Sequence, residues 1–287
     1  MPVATVKSLF RYPIKSMGGE TLAQARFDTL GIPGDRGWAL RDETRGGIRG
    51  GKRFPGLMGL QAEYLEDPDT DARSPLARIL FPDGASARTD DPEINDRLST
   101  HLQNPVTLWP LLPADALDHY RRGAPENSDM EAELRQAFGR TADEPLPDLS
   151  QFPAELFEYE SPPGTYFDAF PVLLMTAASL ATMSAAAPEQ RFDVRRFRPN
   201  LLLETATDDA EFPEDTWAGK QLQIGDAVFA LQMRCPRCVM TTHGFGDLPK
   251  DPGIMRALVR AHGGDLGVYA QVVKPGIVRA GDTAALL

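Results

Sequence analysis

Short runs that alternate apolar and polar residues, each cut off by glycine or proline, constrain this chain more than any other feature. Val3 to Phe10 carries the strand period and stops at Tyr12-Pro13-Ile14-Lys15-Ser16-Met17-Gly18-Gly19, a turn. A run near Leu22 to Phe27 leads through Gly31-Ile32-Pro33-Gly34-Asp35-Arg36-Gly37 to Trp38-Ala39-Leu40. Leu60 to Leu65, Ala77 to Phe81 and Val106 to Leu112 read as further strands. Gly46 to Gly59 is a glycine-dense, flexible turn region, and helical spacing predicts a short helix from Pro92 to Leu102. Many short strands with turn signals between them imply a mainly β fold with a few helices, an α+β class built of barrels or curled sheets.

The pattern changes between about Ala114 and Pro163, where Pro, Asp and Glu accumulate and a helix is predicted at Met130 to Phe138. This stretch reads as an acidic, solvated insertion or linker, and it divides the chain into 1–113, 114–163 and 164–287. In the last part Phe170 to Met175 predicts a buried strand, and Thr176 is placed to cap the helix that follows. Strands are expected at Leu201 to Glu204, Trp217 to Asp226, Val228 to Met233 and from Val268 onward, with a helix from Pro249 to His262.

Charge excludes some functions. A net charge of −11 is the wrong sign for a general nucleic-acid or anionic-membrane binder, since those partners need a basic face. No apolar run approaches the roughly 20 residues of a bilayer helix, and Met1 to Glu20 lacks the apolar stretch of a secretory signal. The expected location is the cytoplasm, with neither nucleic acid nor membrane as partner. Against the acidic background, Arg191, Arg195, Arg196 and Arg198 reverse the local sign, while Lys15 and Arg36 stand at strand ends, where loops on a rigid sheet often carry ligand contacts. Taken singly, each also reads as ordinary surface charge.

The chain has two cysteines, in Arg234-Cys235-Pro236-Arg237-Cys238-Val239-Met240-Thr241-Thr242, directly after a predicted strand. Quiet core thiols would have arginines as poor neighbours. A zinc site with His243 and His262 would lack a second close-spaced ligand pair. A redox pair belongs in a βαβ setting that this β-rich pattern does not offer. The fourth reading is a thiolate bound to a metal whose remaining ligands come from an organic cofactor, with Lys15, Arg36, Arg198 and Arg237 as cations for its anionic groups. Spacing alone leaves these readings open.

Tyr12-Pro13-Ile14-Lys15-Ser16, Gly34-Asp35-Arg36-Gly37-Trp38, Phe197-Arg198-Pro199-Asn200, Cys235-Pro236-Arg237-Cys238 with Thr241-Thr242, and Tyr269 with the Pro275-Gly276 to Gly281-Asp282 tail occur in one order. In that combination the chain resembles the MOSC family, named for the C-terminal domain of molybdenum cofactor sulfurase, together with its N-terminal β-barrel domain. By pattern it is similar to the mitochondrial amidoxime-reducing components and the bacterial YcbX-type proteins. The resemblance implies two β-barrel-like domains with the cofactor site between them, and a molybdenum cofactor (Mo-molybdopterin). It implies reduction of N-hydroxylated or other N-oxygenated small molecules, with oxygen removed at the metal. A carrier of the cofactor, or of sulfur, without redox turnover is the alternative it implies.

By the same resemblance Cys238 is the molybdenum ligand, and Lys15, Ser16, Arg36, Arg198, Asn200, Pro236, Arg237 and Tyr269 hold the cofactor. Ala169 and Phe170 are counted with the cofactor-binding residues, and Asp168 falls where relatives place pocket residues near the metal, a catalytic candidate beside Cys238. Ala169 and Phe170 replace the small polar residues of the mitochondrial proteins. Cys235 takes no metal role and is expected to be structural. With no further cysteines for an iron–sulfur cluster, electrons are expected from a separate protein of flavin, haem or iron–sulfur type.

Overall fold

The computed structural model describes residues 1–205 and 210–287. The first part of the chain is a succession of short strands, as its turn signals imply: β1 (Pro2–Arg11), β2 (Glu20–Leu22), β3 (Gln24–Phe27), β4 (Trp38–Asp42), β5 (Ile48–Arg49), β6 (Gln61–Tyr64), β7 (Ala77–Leu80) and β8 (Ser86–Arg88). Helix α1 (Ile94–Leu102) and strand β9 (Val106–Pro110) follow. Two three-stranded sheets, β5-β4-β9 and β6-β7-β8, enclose a core that includes Ile14, Met17, Leu40, Leu57, Ile79 and Leu98. Helix α1 turns Ile94 and Leu98 into that core, and the left-handed Gln103 ends it by donating its backbone N–H to the Ser99 and Thr100 carbonyls.

The acidic stretch contains α2 (Leu117–Tyr120) and α3 (Met130–Phe138). Asp129 accepts from the Glu131 N–H at the start of α3, and Gly139 ends the helix in the left-handed region. None of the α3 residues is buried, but just beyond it Arg256 pairs with Glu144 at 2.8 Å and the buried Arg140 reaches Met255, which ties the middle of the stretch to the last part of the chain. Tyr120 and Tyr159 pack with Tyr166 against Ala39 and Ile48. Arg45 donates to the Pro125 carbonyl at 2.7 Å, and Arg49 to that of Ala124 at 2.8 Å. The 114–163 stretch therefore folds back onto the sheet that carries β4 and β5.

The last part supplies β10 (Val172–Thr176), α4 (Ala177–Ala186), β11 (Leu201–Thr205), β12 (Gln221–Ile224), β13 (Ala227–Pro236), α5 (Gly253–His262), β14 (Asp265–Lys274), β15 (Gly276–Arg279) and β16 (Thr283–Leu286). Thr176 caps α4 as its sequence indicates, accepting from the Ser179 N–H. Strands β11-β10-β14-β13-β12-β16-β1 form a closed seven-strand barrel, because β1 also pairs with β11, with Leu9 opposite Leu201. Closure removes the exposed edges that an open sheet would present.

The chain's first strand thus completes a barrel whose other strands lie beyond residue 171, and β3 pairs with β15 in the same cross-chain manner. Where a barrel-like unit is expected at each end, the closed barrel draws on both ends, and the remaining N-terminal strands form the two small sheets. Leu9, Phe27, Leu174, Leu201, Phe229 and Val268 fill the barrel, each worth about 1.5–3 kcal/mol of burial.

One irregularity positions the cysteines. Phe229 and Leu231 of β13 face the barrel interior, and strict alternation would send Cys235 there too. Register shifts against β14 after Leu231 and after Arg234 re-aim the strand, so Cys235 joins the outer cluster of Leu173, Met175, Phe197 and Leu266 beneath α4 and α5.

Candidate active site

Tyr12 organises one side of the site. Its hydroxyl donates to the Pro199 carbonyl at 3.0 Å, and its backbone N–H donates to Asp35 Oδ1 at 2.8 Å. Two guanidinium groups lie over its ring, Arg198 at 4.1 Å and Arg36 at 5.1 Å from the centroid. Asp35, fully buried, pairs through Oδ2 with Arg36 and accepts from Asn200 Nδ2 at 2.9 Å. Asn200 in turn accepts from the Leu173 N–H, which ties the Asp35 turn to β10. Burial pushes the Tyr12 hydroxyl up to about 12, despite the opposing arginines, so it stays neutral. Burial also lowers Arg198 to about 10, which leaves it charged near neutrality.

Arg198 donates from Nη1 to the Met17 carbonyl, while its Nη2 is buried without a partner among the described residues. The backbone is strained at the same places. Among the described residues, the non-glycine positions of positive φ are Ser16 (69°), Arg36 (54°), Gln103 (53°) and Arg198 (56°). Gln103 ends a helix, but the other three are site candidates, and each such conformation costs about 1–3 kcal/mol that the surroundings must offset.

The cysteine loop adjoins this cluster, since Arg237 reaches the carbonyl of Phe197, the residue before Arg198. Cys238 is half-buried with a free thiol, and its carbonyl accepts from the Thr241 N–H at 3.2 Å, closing the 3-10 turn Val239–Thr242. Cys235 is buried and accepts from Arg237 Nη1 at 2.9 Å. Burial pushes the Cys235 thiol up, although Arg237 opposes the shift. Arg237 also donates from Nη2 to the Phe197 carbonyl at 2.6 Å, and its Nε is left without a partner among the described residues. Pro236 lies opposite Asp265 of β14. Tyr269 stands beside Cys235 and packs on Phe170 at 5.2 Å between ring centroids, and burial holds its hydroxyl well above the usual range. Ala169 is buried.

Lysines close the third side. Lys15 Nζ donates to the Tyr166 carbonyl and to Asp168 Oδ1, each at 2.7 Å, and to Ser161 Oγ at 3.4 Å. Burial lowers the Lys15 ammonium, with Asp168 working against that shift. Burial alone would raise Asp168, but Lys15 and Lys52 outweigh it and hold its carboxyl far below the ordinary range. Ser16 Oγ accepts from the Gly51 N–H at 2.8 Å and lies 3.9 Å from Met240 Sδ. His243 Nε2 bonds the Gly51 carbonyl at 2.9 Å. A Cβ on Gly51 would lie 2.8 Å from Met240 Cε, so Gly51 packs against the cysteine loop through the flexible end of Met240.

The residues singled out in the sequence are therefore joined through direct partners. Arg36 and Arg198 share Tyr12, Asn200 meets Asp35, Lys15 meets Asp168, Ser16 meets Met240 just past Cys238, and Arg237 meets Cys235 beside Tyr269. Sequence reasoning missed Tyr12 and Asp35 as site members, although both lie in its motifs. It also missed Lys52, and it weighed His243 only as a zinc ligand. The glycine-dense turn that carries Lys52 reads as flexible, and only its fixed backbone contacts reveal otherwise.

This donor set fits a cofactor with a thiophilic metal and anionic groups. Among the described residues Arg198 Nη2 and Arg237 Nε are buried N–H donors without an acceptor, as are the Nε groups of Arg49, Arg140 and Arg256, and such donors are costly unless a ligand or water receives them. Cys238 offers a soft ligand nearby. Zinc is a poorer fit: His243 and His262 are engaged elsewhere, and no three His, Cys, Asp or Glu side chains gather as a metal set among the described residues. A separate cavity of about 470 Å³ lies by Phe81, Arg97 and His101, away from these residues. Among the described residues no helix is long and apolar enough to cross a membrane.

A family model described as the MOSC domain matches residues 162–285, and one described as the MOSC N-terminal beta barrel domain matches residues 3–99. The mitochondrial amidoxime reducing component 2 of Macaca fascicularis is 38% identical over 257 residues, which cover 84% of this chain and 67% of that protein. The Bos taurus component 2 is 28% identical over 251 residues, covering 84% and 66%. This chain thus spans about two thirds of the length of these relatives. Among solved structures, the YUAD protein from Bacillus subtilis aligns over 99% of this chain and 95% of its own, with a TM-score of 0.44 at 13% identity.

Proposed function

The chain belongs to the MOSC family, and from that premise we propose that it holds a molybdenum cofactor and reduces N-hydroxylated or other N-oxygenated small molecules. The observation that carries the reading is the pairing of a half-buried thiol, Cys238, with two buried guanidinium groups that each retain an unpartnered N–H. The names of the relatives, which state amidoxime reduction, point the same way.

In this reading Cys238 would bind the metal, and Arg36, Arg198 and Arg237 would face the anionic and pterin parts, with Ser16, Asn200, Tyr269 and the backbone at Pro236 shaping the cradle. When bound, the cofactor would supply the two-electron chemistry that takes oxygen from the substrate. The chain's own side chains set the surroundings. Tyr12 keeps two like charges, Arg36 and Arg198, against one aromatic ring, while Asp35 offsets part of their charge. Asp168, held ionised by Lys15, is an acceptor rather than a proton donor near neutrality, so it would orient a substrate N–H. Ala169 and Phe170 would line the approach, Phe170 fixed by Tyr269.

Electrons would come from a separate flavin, haem or iron–sulfur protein. The cytoplasm is the proposed compartment: both thiols are unpaired, as a reducing environment favours, whereas the relatives are mitochondrial by name. The test is metal analysis of protein from a cofactor-producing host, followed by benzamidoxime reduction with an artificial electron donor. Bound molybdenum with turnover supports the proposal. Protein without molybdenum overturns it, and loaded protein that transfers its cofactor without turnover favours the carrier.

A further inference from the structure

The cations of this site are not equivalent. Lys15 is buried and spends its three N–H directions on Tyr166, Asp168 and Ser161. Arg36 is committed to Asp35, and Arg198 and Arg237 are buried, at 8% exposure each. Lys52 differs: its side chain is 36% exposed, and its nearest charged partner among the described residues is Asp168 Oδ2 at 3.9 Å, beyond hydrogen-bond reach. Its ammonium therefore retains donors for a ligand.

Its position is nevertheless fixed. The preceding residue, Gly51, is pinned through its N–H by Ser16 and through its carbonyl by His243, and it packs on Met240 of the cysteine loop. The following residue, Arg53, pairs with Glu126 of the acidic stretch. Lys52 thus stands between the cysteine loop and the 114–163 segment. Lys15, Lys52 and Asp168 together carry one net positive charge, and since Lys15 and Asp168 neutralise each other at 2.7 Å, that charge resides at Lys52. The Asp168 carboxylate outweighs burial and holds the Lys52 ammonium above its ordinary value.

We propose that Lys52 is the substrate-facing cation of this site, a specificity-determining residue that selects N-oxygenated compounds carrying a carboxylate or similar anionic group. The proposal rests on the function given above, and its test separates the two. Binding of 4-carboxybenzamidoxime and of uncharged benzamidoxime is measured by calorimetry on cofactor-loaded protein without electron donor, for the native chain, Lys52→Met and Lys52→Arg. Turnover of both compounds and molybdenum content are measured on the same samples.

The native chain should bind the carboxylated compound about tenfold more tightly, as one partly exposed charge pair allows. Lys52→Met should bring the ratio near unity, Lys52→Arg should retain most of it, and molybdenum content should be equal in all three. A ratio unchanged in Lys52→Met overturns the assignment, as does no preference in the native chain. Loss of molybdenum in Lys52→Met also overturns it, because the lysine would then be holding the cofactor. A binding preference that depends on Lys52 without turnover of either compound leaves Lys52 as the anion site and overturns the reductase reading instead.

Discussion

Arg237 Nη1 donates to the Sγ of Cys235 at 2.9 Å, so the first cysteine of the Cys-x2-Cys run is occupied as the acceptor that orients an arginine. The second, Cys238, accepts nothing comparable among the described residues and is half-buried with its thiol free. Two residues that look equivalent in sequence have different partners because β13 shifts register between Leu231 and Pro236.

Cys235→Ala leaves Arg237 Nη1 buried without an acceptor, and unfolding stability should fall by roughly 1–3 kcal/mol. Cys235→Ser keeps an acceptor and should lose less. Urea titration of the two variants checks this ordering, and equal losses would show that Arg237 does not depend on the Cys235 side chain.

The left-handed residues offer an internal comparison. Gln103 is exposed at φ 53° and ends α1, so Gln103→Gly should raise stability by about 1 kcal/mol with cofactor content unchanged. Arg198→Gly relieves the same backbone strain but removes the cation over Tyr12 and the donor to Met17, so pterin content should fall at least about tenfold. Thermal melts and fluorescence of released pterin report the two effects, and an Arg198→Gly protein with full pterin content would contradict the cradle.

His262 ties α5 to Asp215 at 2.7 Å through Nε2 and to the Asp265 carbonyl through Nδ1. Burial opposes its charge, but the bond to Asp215 wins and the imidazole is raised above its usual range. A raised folded value means that this stabilisation is complete below about pH 6.5 and is lost as pH rises through the folded value. His119 and His243 are lowered by burial and act with the opposite sign, so the test is a difference. Stability of the native chain minus that of His262→Gln should shrink from pH 6 to about pH 9, and a pH-independent difference would contradict the assignment.

Much of the fold was legible because the strand period, the turn residues and the Thr176 cap are local. Barrel closure was not: Leu9 meets Leu201 and Phe27 meets Gly276 across most of the chain, and no local pattern specifies those pairings. The site divides the same way. The motifs around Lys15, Arg36, Arg198 and Cys238 could be read from the chain, while the Tyr12 ring that brings two arginines together could not. Lys52 was hidden because its Gly50-Gly51 turn carries the composition of a flexible loop, and its rigidity comes from Ser16 and His243, far away in sequence.

The central claim is that the Cys238 thiolate binds the metal. Molybdenum X-ray absorption of the loaded native chain and of loaded Cys238→Ser measures it directly. The account predicts one sulfur neighbour fewer in Cys238→Ser, with pterin still held by Arg198 and Arg237 and amidoxime turnover lost. An unchanged sulfur shell, or full turnover in Cys238→Ser, would contradict it.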